Sequence, residues 1–412
     1  MSNTYIIVGA GIAGIAAAEA IREIDSHGPV IMFTAEHNLP YSRPMLTKTP
    51  FYSFDPDKWT IHSLEWFDAN RIDLHMDEPV SAVDPSSKTV TSSRGVYHYD
   101  KLILATGAEN FLPPITGIDS DMVFTIRRAE DIFDLKKVCR ASAKAVVIGG
   151  GVIGLETAVE LWRYGAGVTV LEAAPYLMTR QIDEEISGLI QKKLQGQIDV
   201  YTGVSIKAVE APSAADSACV VLSDGRSFPC DLVIVACGVR ACTSIVPGTV
   251  NVPRAIDIDD HCRTSDPYIY AAGDCSQHNG INYALWSQSM AQGRTAGLNA
   301  AGAVSLLEDF DTSLVINSPL LSLFALGDLG KDPDKKYEIK YISSKDDMDT
   351  FFVNPSHGER FEKLFYCGGH LVGAAIIGNL SHMESLKKEI LVNALCRTQL
   401  EHDVLAAAVA ER

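Results

Sequence analysis

The chain has 412 residues, 47% of them hydrophobic, and a formal net charge of −17. That length accommodates about two to three domains, and the acidic balance argues against a nucleic-acid-binding surface. Nine scattered cysteines with no C-x-x-C pair read as reduced, mostly buried thiols of a cytoplasmic protein, and no apolar run reaches membrane-spanning length.

The N-terminal run Tyr5-Ile6-Ile7-Val8 enters Gly9-Ala10-Gly11-Ile12-Ala13-Gly14, and an alanine-rich helical stretch follows over Ile15 to Glu23. Gly9 permits a tight turn out of a buried strand. Gly11 lets a pyrophosphate approach the backbone, and Gly14 lets the new helix pack on the sheet with its free N–H groups facing the phosphate. A second strand, Val30 to Thr34, is followed by Glu36, where a ribose-binding carboxylate is expected. The stretch Leu39 to Lys48 has prolines at 40 and 44 and predicts an ordered loop with a short helix after Pro44. Arg43 and Lys48 are either solvated surface charges or cations facing phosphate or a ring.

Residues 51–80 are mixed and aromatic, with short strands expected. Val83 to His98 reads as a hairpin that turns at Ser93-Arg94-Gly95. The buried strand beginning at Lys101 ends in Ala105-Thr106-Gly107, small residues that let a cofactor lie close. Pro113-Pro114 then marks a crossing into a second domain, which opens with a helix over Arg128 to Val138. Ala145 to Ile148 runs into Gly149-Gly150-Gly151-Val152-Ile153-Gly154, a helix follows over Leu155 to Tyr164, and a strand over Val168 to Leu171 ends at Glu172. This repeats the opening arrangement, so the chain is expected to bind two dinucleotides. Glu172 can accept hydrogen bonds from both ribose hydroxyls and would repel a 2′-phosphate, which favours NADH over NADPH. Arg180 reads as a surface charge, leaving some use of NADPH open.

A helix over Ile182 to Leu194 precedes strands at Ile198 to Tyr201, Ile206 to Ala211 and Ala218 to Leu222, and a further buried strand ends at Gly238. Ile269 to Ala272 delivers Gly273-Asp274, whose carboxylate can accept from a sugar-alcohol hydroxyl. Trp286 opens a helix that continues to Ala301 and is either core or a wall for a planar cofactor. From about Ser305 a third, α+β unit is expected, with strands at Tyr337 to Ile342, Phe361 to Tyr366 and Leu371 to Ile377 and a helix over Met383 to Leu395.

Together, Gly9-x-Gly11-x-x-Gly14, Ala105-Thr106-Gly107, Gly149-x-Gly151-x-x-Gly154 and Ala272-Gly273-Asp274 resemble the motifs of two-dinucleotide-domain flavoprotein reductases, the pyridine nucleotide–disulfide oxidoreductase superfamily, over essentially the whole chain. The resemblance implies an α/β fold: two Rossmann-like three-layer domains, one for FAD and one for NAD, plus a C-terminal α+β domain. Its bounds would be 1–112 and 239–304 for FAD, 113–238 for NADH and 305–412 for the C-terminal domain. It places FAD at Gly9, Gly11, Ala13, Gly14, Glu36, Arg43, Lys48, Val80, Ala105, Thr106, Gly107, Gly273, Asp274 and Trp286. NADH falls at Gly149, Gly151, Val152, Ile153, Gly154, Glu172 and Gly238.

There is no cysteine between Met1 and Lys137, so the usual flavin-side redox thiols are absent. The loop ending at Lys48 and the Leu285-Trp286-Ser287-Gln288 segment are similar to those of rubredoxin and ferredoxin reductases. In those relatives the lysine lies near the isoalloxazine and pairs with a glutamate, here Glu156, and the tryptophan borders the ring. The resemblance thus implies hydride transfer from NADH to FAD, with Lys48, Glu156 and Trp286 at the reacting centre. Electrons would pass singly to a small carrier such as rubredoxin or ferredoxin, with no nucleic acid, membrane or metal involved, in a monomer or homodimer. An oxidase passing electrons to oxygen and a non-catalytic NADH sensor acting through its third domain are the alternatives.

Overall fold

The computed structural model describes residues 3–49, 51–211, 218–344 and 359–394. The chain divides into two compact units, one made of residues 1–111, 127–136 and 238–311, the other of residues 112–126, 137–237 and 312–412.

The first unit is built on a parallel five-stranded sheet in the order Ile269–Ala271, Lys101–Leu104, Tyr5–Val8, Val30–Phe33, Ile72–His75. Tyr5–Val8 is buried along its whole length, as a central strand covered on both faces requires. The helix Ile12–Ile24 packs against the helix Trp286–Ala300 at very short range. A Cβ at Gly293 would stand 2.1 Å from the Ala13 carbonyl oxygen, and one at Gly297 would stand 2.3 Å from that of Ala17. Small residues on both helices are therefore a packing requirement. The helix Ile12–Ile24 begins three residues earlier than the sequence suggests, because Gly14 lies inside its first turn. A three-stranded antiparallel meander, Val80–Asp84, Thr89–Ser92 and Val96–His98, extends the expected hairpin by one strand.

The stretch 51–80 is more ordered than its sequence shows. It contains the helix Leu64–Ala69 and Ile72–His75, the edge strand of the parallel sheet. Only Ile72 of that strand is fully buried, so no alternation announces it. The helix Ala129–Val138 was expected to open the second domain, but residues 127–136 group with the first unit. There Lys136 Nζ donates to the Phe54 carbonyl at 2.6 Å and Asn38 donates to Glu130 at 2.9 Å.

The second unit repeats the plan. Its parallel sheet runs Ile198–Tyr201, Gly167–Leu171, Lys144–Ile148, Leu232–Val235, Val123–Phe124, with the meander Ile206–Glu210, Cys219–Leu222 and Ser227–Pro229 beside it. One difference separates the copies. The edge strand beside Lys101–Leu104 comes last in the chain among the strands of its sheet, at Ile269–Ala271, whereas the corresponding edge strand beside Leu232–Val235 comes first, at Val123–Phe124. The amphipathic helix Glu184–Leu194 starts two residues later than expected because Asp183 caps it, its Oδ1 accepting from the Ile186 N–H at 2.9 Å.

The C-terminal strands group with this second unit. They form an antiparallel sheet in the order Leu314–Asn317, Ser322–Gly327, His370–Gly378, Arg360–Cys367, Glu338–Ser343, so two strands join the three expected. Gly368 and Gly369, both with positive φ, make the tight turn between Arg360–Cys367 and His370–Gly378. Lys363, 5% exposed, donates to Asp183 at 2.6 Å and to Glu185, neutralising the carboxylates at the start of the helix Glu184–Leu194. The expected helix from Met383 extends through residue 394; Leu395 lies outside the described residues. The eight described cysteines form no disulfide with one another, and only Cys139, Cys230, Cys262 and Cys275 of them are buried, fewer than expected. Among the described residues no helix is long and apolar enough to cross a membrane.

Candidate nucleotide-binding sites

The two glycine loops are stereochemical copies. Gly9 has φ +110°, and a Cβ there would lie 2.1 Å from the Ala105 carbonyl oxygen. Gly149 has φ +115°, and its Cβ would lie 2.4 Å from that of Ala236. In both copies a Cβ on the third glycine, Gly14 or Gly154, would lie 2.0 Å from the first glycine's carbonyl oxygen. The middle glycines differ from these. Gly11 and Gly151 have nothing within 4 Å of where a Cβ would stand. Each is also the N-cap of its helix, Ile12–Ile24 or Val152–Arg163, and neither helix has a side-chain cap. Open space in front of uncapped N–H groups, at the positive end of a helix dipole, is what an anionic pyrophosphate requires. Both loops therefore fit a dinucleotide.

At the first site a cleft is lined by Ala10, Gly11, Thr34, Glu36, Tyr41 and Arg43, among others. Tyr41 donates its hydroxyl to Glu36 at 2.9 Å, and Arg43 forms an ion pair with the same carboxylate. Burial pushes the Tyr41 phenol well up, so it stays a donor. Arg43 also donates to the Arg127 carbonyl at 2.8 Å. Arg43 is thus a structural partner of Glu36 at the cleft wall, not a solvated charge. Glu36 keeps unused acceptor capacity for ribose hydroxyls, since each carboxylate oxygen has two lone pairs.

The Gly273-Asp274 turn faces the same loop. Gly273 has φ +82°, and a Cβ there would stand 3.0 Å from that of Ala13. The Gly273 N–H donates to Gln292 at 2.8 Å. Asp274 accepts from Arg127 at 2.6 Å and from Ser289 at 3.2 Å, while Asn282 donates to its backbone carbonyl at 2.7 Å. Arg127 also donates to the Ala108 carbonyl at 2.8 Å. The structure thereby brings Ala13, Ala105, Gly107, Gly273 and Asp274 around one loop. Thr106 is fixed by donating to the Cys242 carbonyl at 2.6 Å.

Arg127, Tyr41 and Ser289 carry no sequence pattern that marks them as site residues. Arg127 lies 147 residues before its partner Asp274, and no local pattern links them. Val80, the first residue of the meander, packs against the core of this unit. Trp286 is half-buried as the first residue of its helix, and Lys48 is exposed at the end of the short helix Met45–Lys48.

At the second site Glu172 is pinned by its own surroundings. Its carboxylate accepts from the Gly150 N–H at 2.5 Å and from the Ala174 N–H at 2.7 Å, beside the uncovered Gly151. Arg180 is exposed. Val152 and Ile153 form the first turn of the helix. Gly238, expected at this site, has φ +100° and open space where a side chain would stand, but it groups with the first unit. Glu156 and Glu160 are both buried on that helix. Burial raises the Glu160 carboxyl above its usual range, with Arg163 opposing. Glu156 belongs to the second unit and Lys48 to the first.

The match to the family described as pyridine nucleotide-disulphide oxidoreductase covers residues 3–293. The chain belongs to this family. It is 31% identical over 383 residues to a Bacillus subtilis nitrite reductase (NAD(P)H), covering 91% of this chain and 46% of that protein. The chain therefore spans less than half the length of that relative. An NADH-rubredoxin oxidoreductase from Clostridium acetobutylicum is 29% identical and matches over 94% of both chains. Among solved structures, an NAD-dependent persulfide reductase from A. fulgidus superposes with a TM-score of 0.84 at 25% identity, over 94% of this chain and 77% of the other. The family explains the duplicated architecture, with its parallel sheets and glycine loops, as a pair of Rossmann-like domains.

Proposed function

We propose that this chain is an FAD-dependent NADH oxidoreductase that passes electrons singly to a small redox protein such as a rubredoxin or ferredoxin. The observation that carries the reading is the duplicated loop. Gly11 and Gly151 each open an uncapped helix N-terminus into free space, which suits one resident and one visiting dinucleotide. The near full-length likeness to an NADH-rubredoxin oxidoreductase supports the choice of partner.

FAD supplies, when bound, the capacity to take two electrons from NADH and release them one at a time. The chain's own residues bind and orient. Gly11 and the uncapped first turn it opens would present N–H groups to the pyrophosphate of FAD, with Gly9 and Gly14 shaping the turn, and Glu36, set by Tyr41 and Arg43, would take its ribose. Asp274, oriented by Arg127 and Ser289, takes the sugar-alcohol side. Gly151 and the first turn of its helix would do the same for NADH, in a loop shaped by Gly149 and Gly154, and Glu172 would take the ribose and disfavour a 2′-phosphate by like charge. Lys48, Glu156 and Trp286 take the roles the family resemblance assigns them at the reacting centre. The first cysteine of the chain is Cys139, so no thiol from the first 138 residues relays electrons. A cytoplasmic location is part of the same proposal, supported by eight described cysteines that form no disulfide with one another.

The test is a carrier panel. The purified protein is reduced with NADH without oxygen and offered rubredoxins and ferredoxins, with oxygen uptake measured in parallel. Faster turnover of a carrier than of oxygen is expected. Oxygen consumption that outpaces every carrier would refute the proposal.

A further inference from the structure

A second polar cluster in the first unit has no role in the sites described above. Glu78 has a side chain with 0% exposure. Its Oε1 accepts from the Tyr97 hydroxyl at 3.0 Å and from the Ser92 hydroxyl, and its Oε2 faces His75 Nδ1 at 2.7 Å and Arg94 at 3.4 Å. His75 Nε2 lies 3.0 Å from Asp73 Oδ2. Both ring nitrogens of His75 therefore face carboxylate oxygens, which only accept. The arrangement favours a doubly protonated ring. The ring also packs against Phe33, centroid to centroid 4.9 Å, and against Tyr97 at 5.5 Å.

The cluster holds a turn, and the turn holds the ribose loop. The Thr34 N–H donates to the His75 carbonyl at 2.9 Å, the Glu78 N–H donates to the Thr34 carbonyl at 2.9 Å, and the Asp77 N–H donates to the Glu36 carbonyl at 3.3 Å. Asp77 sits in the left-handed region with φ +52°, a conformation that needs support from its surroundings. Thr34 in turn accepts from the Glu36 N–H at 3.1 Å.

We propose that His75 and Glu78 are positioning residues for the adenosine half of the FAD site, fixing the 75–78 turn whose backbone places Glu36. The inference rests on the reading that the first site holds FAD. A buried ion pair that loses one member leaves an uncompensated charge, so the turn is sensitive to either residue.

The charged and titratable groups facing His75 are Asp73 and Glu78 from its own segment, with Arg94 and Tyr97 from the turn and last strand of the meander reaching Glu78. The strand Val30–Phe33 contributes only the Phe33 ring. Burial works against a charged His75, but the bonds to Glu78 and Asp73 outweigh it and raise its pKa above the usual 6.5. The hold on Glu36 is complete below about pH 6.5 and is lost as pH rises through the raised value.

FAD dissociation from the holoprotein, followed by ultrafiltration and flavin fluorescence from about pH 6 to pH 9, tests this. The parent protein, His75→Gln and Glu78→Gln are compared, with thermal unfolding and NADH titration alongside. The parent's Kd for FAD is expected to rise about tenfold over that range. His75→Gln is expected to start at the weaker affinity and stay flat with pH, while NADH binding is unchanged. If Glu78→Gln does not fold, the parent profile and His75→Gln still decide. PH-independent FAD affinity in the parent, or a His75→Gln variant that keeps the parent's profile whatever its thermal stability, overturns the inference. A parent that takes up no FAD at any pH removes the proposed function and this inference with it, whereas a parent that binds FAD without the pH profile removes the inference alone.

Discussion

The sharpest separation of fold from function lies within one glycine loop. Gly151 has φ −81° and ψ −173°, an extended conformation open to alanine, and nothing stands within 4 Å of the new methyl group. Gly151→Ala is therefore expected to leave the fold intact, with a gain of about 0.4–1 kcal/mol from a stiffer unfolded chain. The methyl group would fill the space in front of the helix N-terminus. One charge-assisted N–H bond to a pyrophosphate is worth about 1.5–3 kcal/mol, so the Kd for NADH is expected to rise about 10- to 150-fold. Gly149→Ala reverses the pattern. Its φ of +115° and a methyl group 2.4 Å from the Ala236 carbonyl oxygen force the backbone apart. The left-handed conformation alone costs about 1–2 kcal/mol, and with the overlap the loss is about 3 kcal/mol or more. That corresponds to a fall in Tm of roughly 6–12 °C for a unit of this size. Thermal unfolding and calorimetric NADH titration of both variants are the assay. Gly151→Ala with an unchanged Kd, or Gly149→Ala with an unchanged Tm, would refute the stereochemical reasoning.

Other substitutions test the remaining assignments. Glu172→Ala is expected to lower kcat/KM for NADH about tenfold or more and that for NADPH much less; equal losses would exclude a ribose role. Arg127→Met leaves the mostly buried Asp274 with Ser289 as its remaining side-chain donor. A loss of about 2–3 kcal/mol in urea unfolding is expected, together with weaker FAD retention; undiminished retention would show that Asp274 needs no orientation. Lys48→Met, at an exposed position, is expected to leave Tm unchanged and slow flavin reduction by NADH about tenfold in stopped flow; an unchanged rate removes Lys48 from the reacting centre. Glu160 carries a carboxyl raised by burial, so ionising it opposes folding as pH rises above the usual 4.5. Glu160→Gln is expected to raise Tm by about 1–3 °C at neutral pH and to make no difference at pH values well below the carboxylate range.

The sequence by itself determined what depends on short stretches of backbone. A strand, three spaced glycines and a helix read the same in isolation as in the fold. Gly9 and Gly149 need positive φ, Gly14 and Gly154 need contact with the glycine five residues before, and Gly11 and Gly151 need emptiness. The repeat of that pattern, each time with an acidic residue after the second strand, was enough to read two dinucleotide sites. The tertiary structure decided what depends on partners far apart in the chain. Glu36 is set by Tyr41 and Arg43, but Arg43 is held in turn by Arg127. Arg127 orients Asp274, 147 residues later. The edge strand Ile72–His75 buries only one residue fully, so its pairing with Val30–Phe33, more than its composition, makes it a strand. Its place after Pro113-Pro114 puts the Ala129–Val138 helix in the second domain by sequence, whereas packing groups its residues up to Lys136 with the first unit. Glycine stereochemistry is local and is written in residue type. Side-chain pairing across a hundred residues is set by where the sheets bring the ends of their strands.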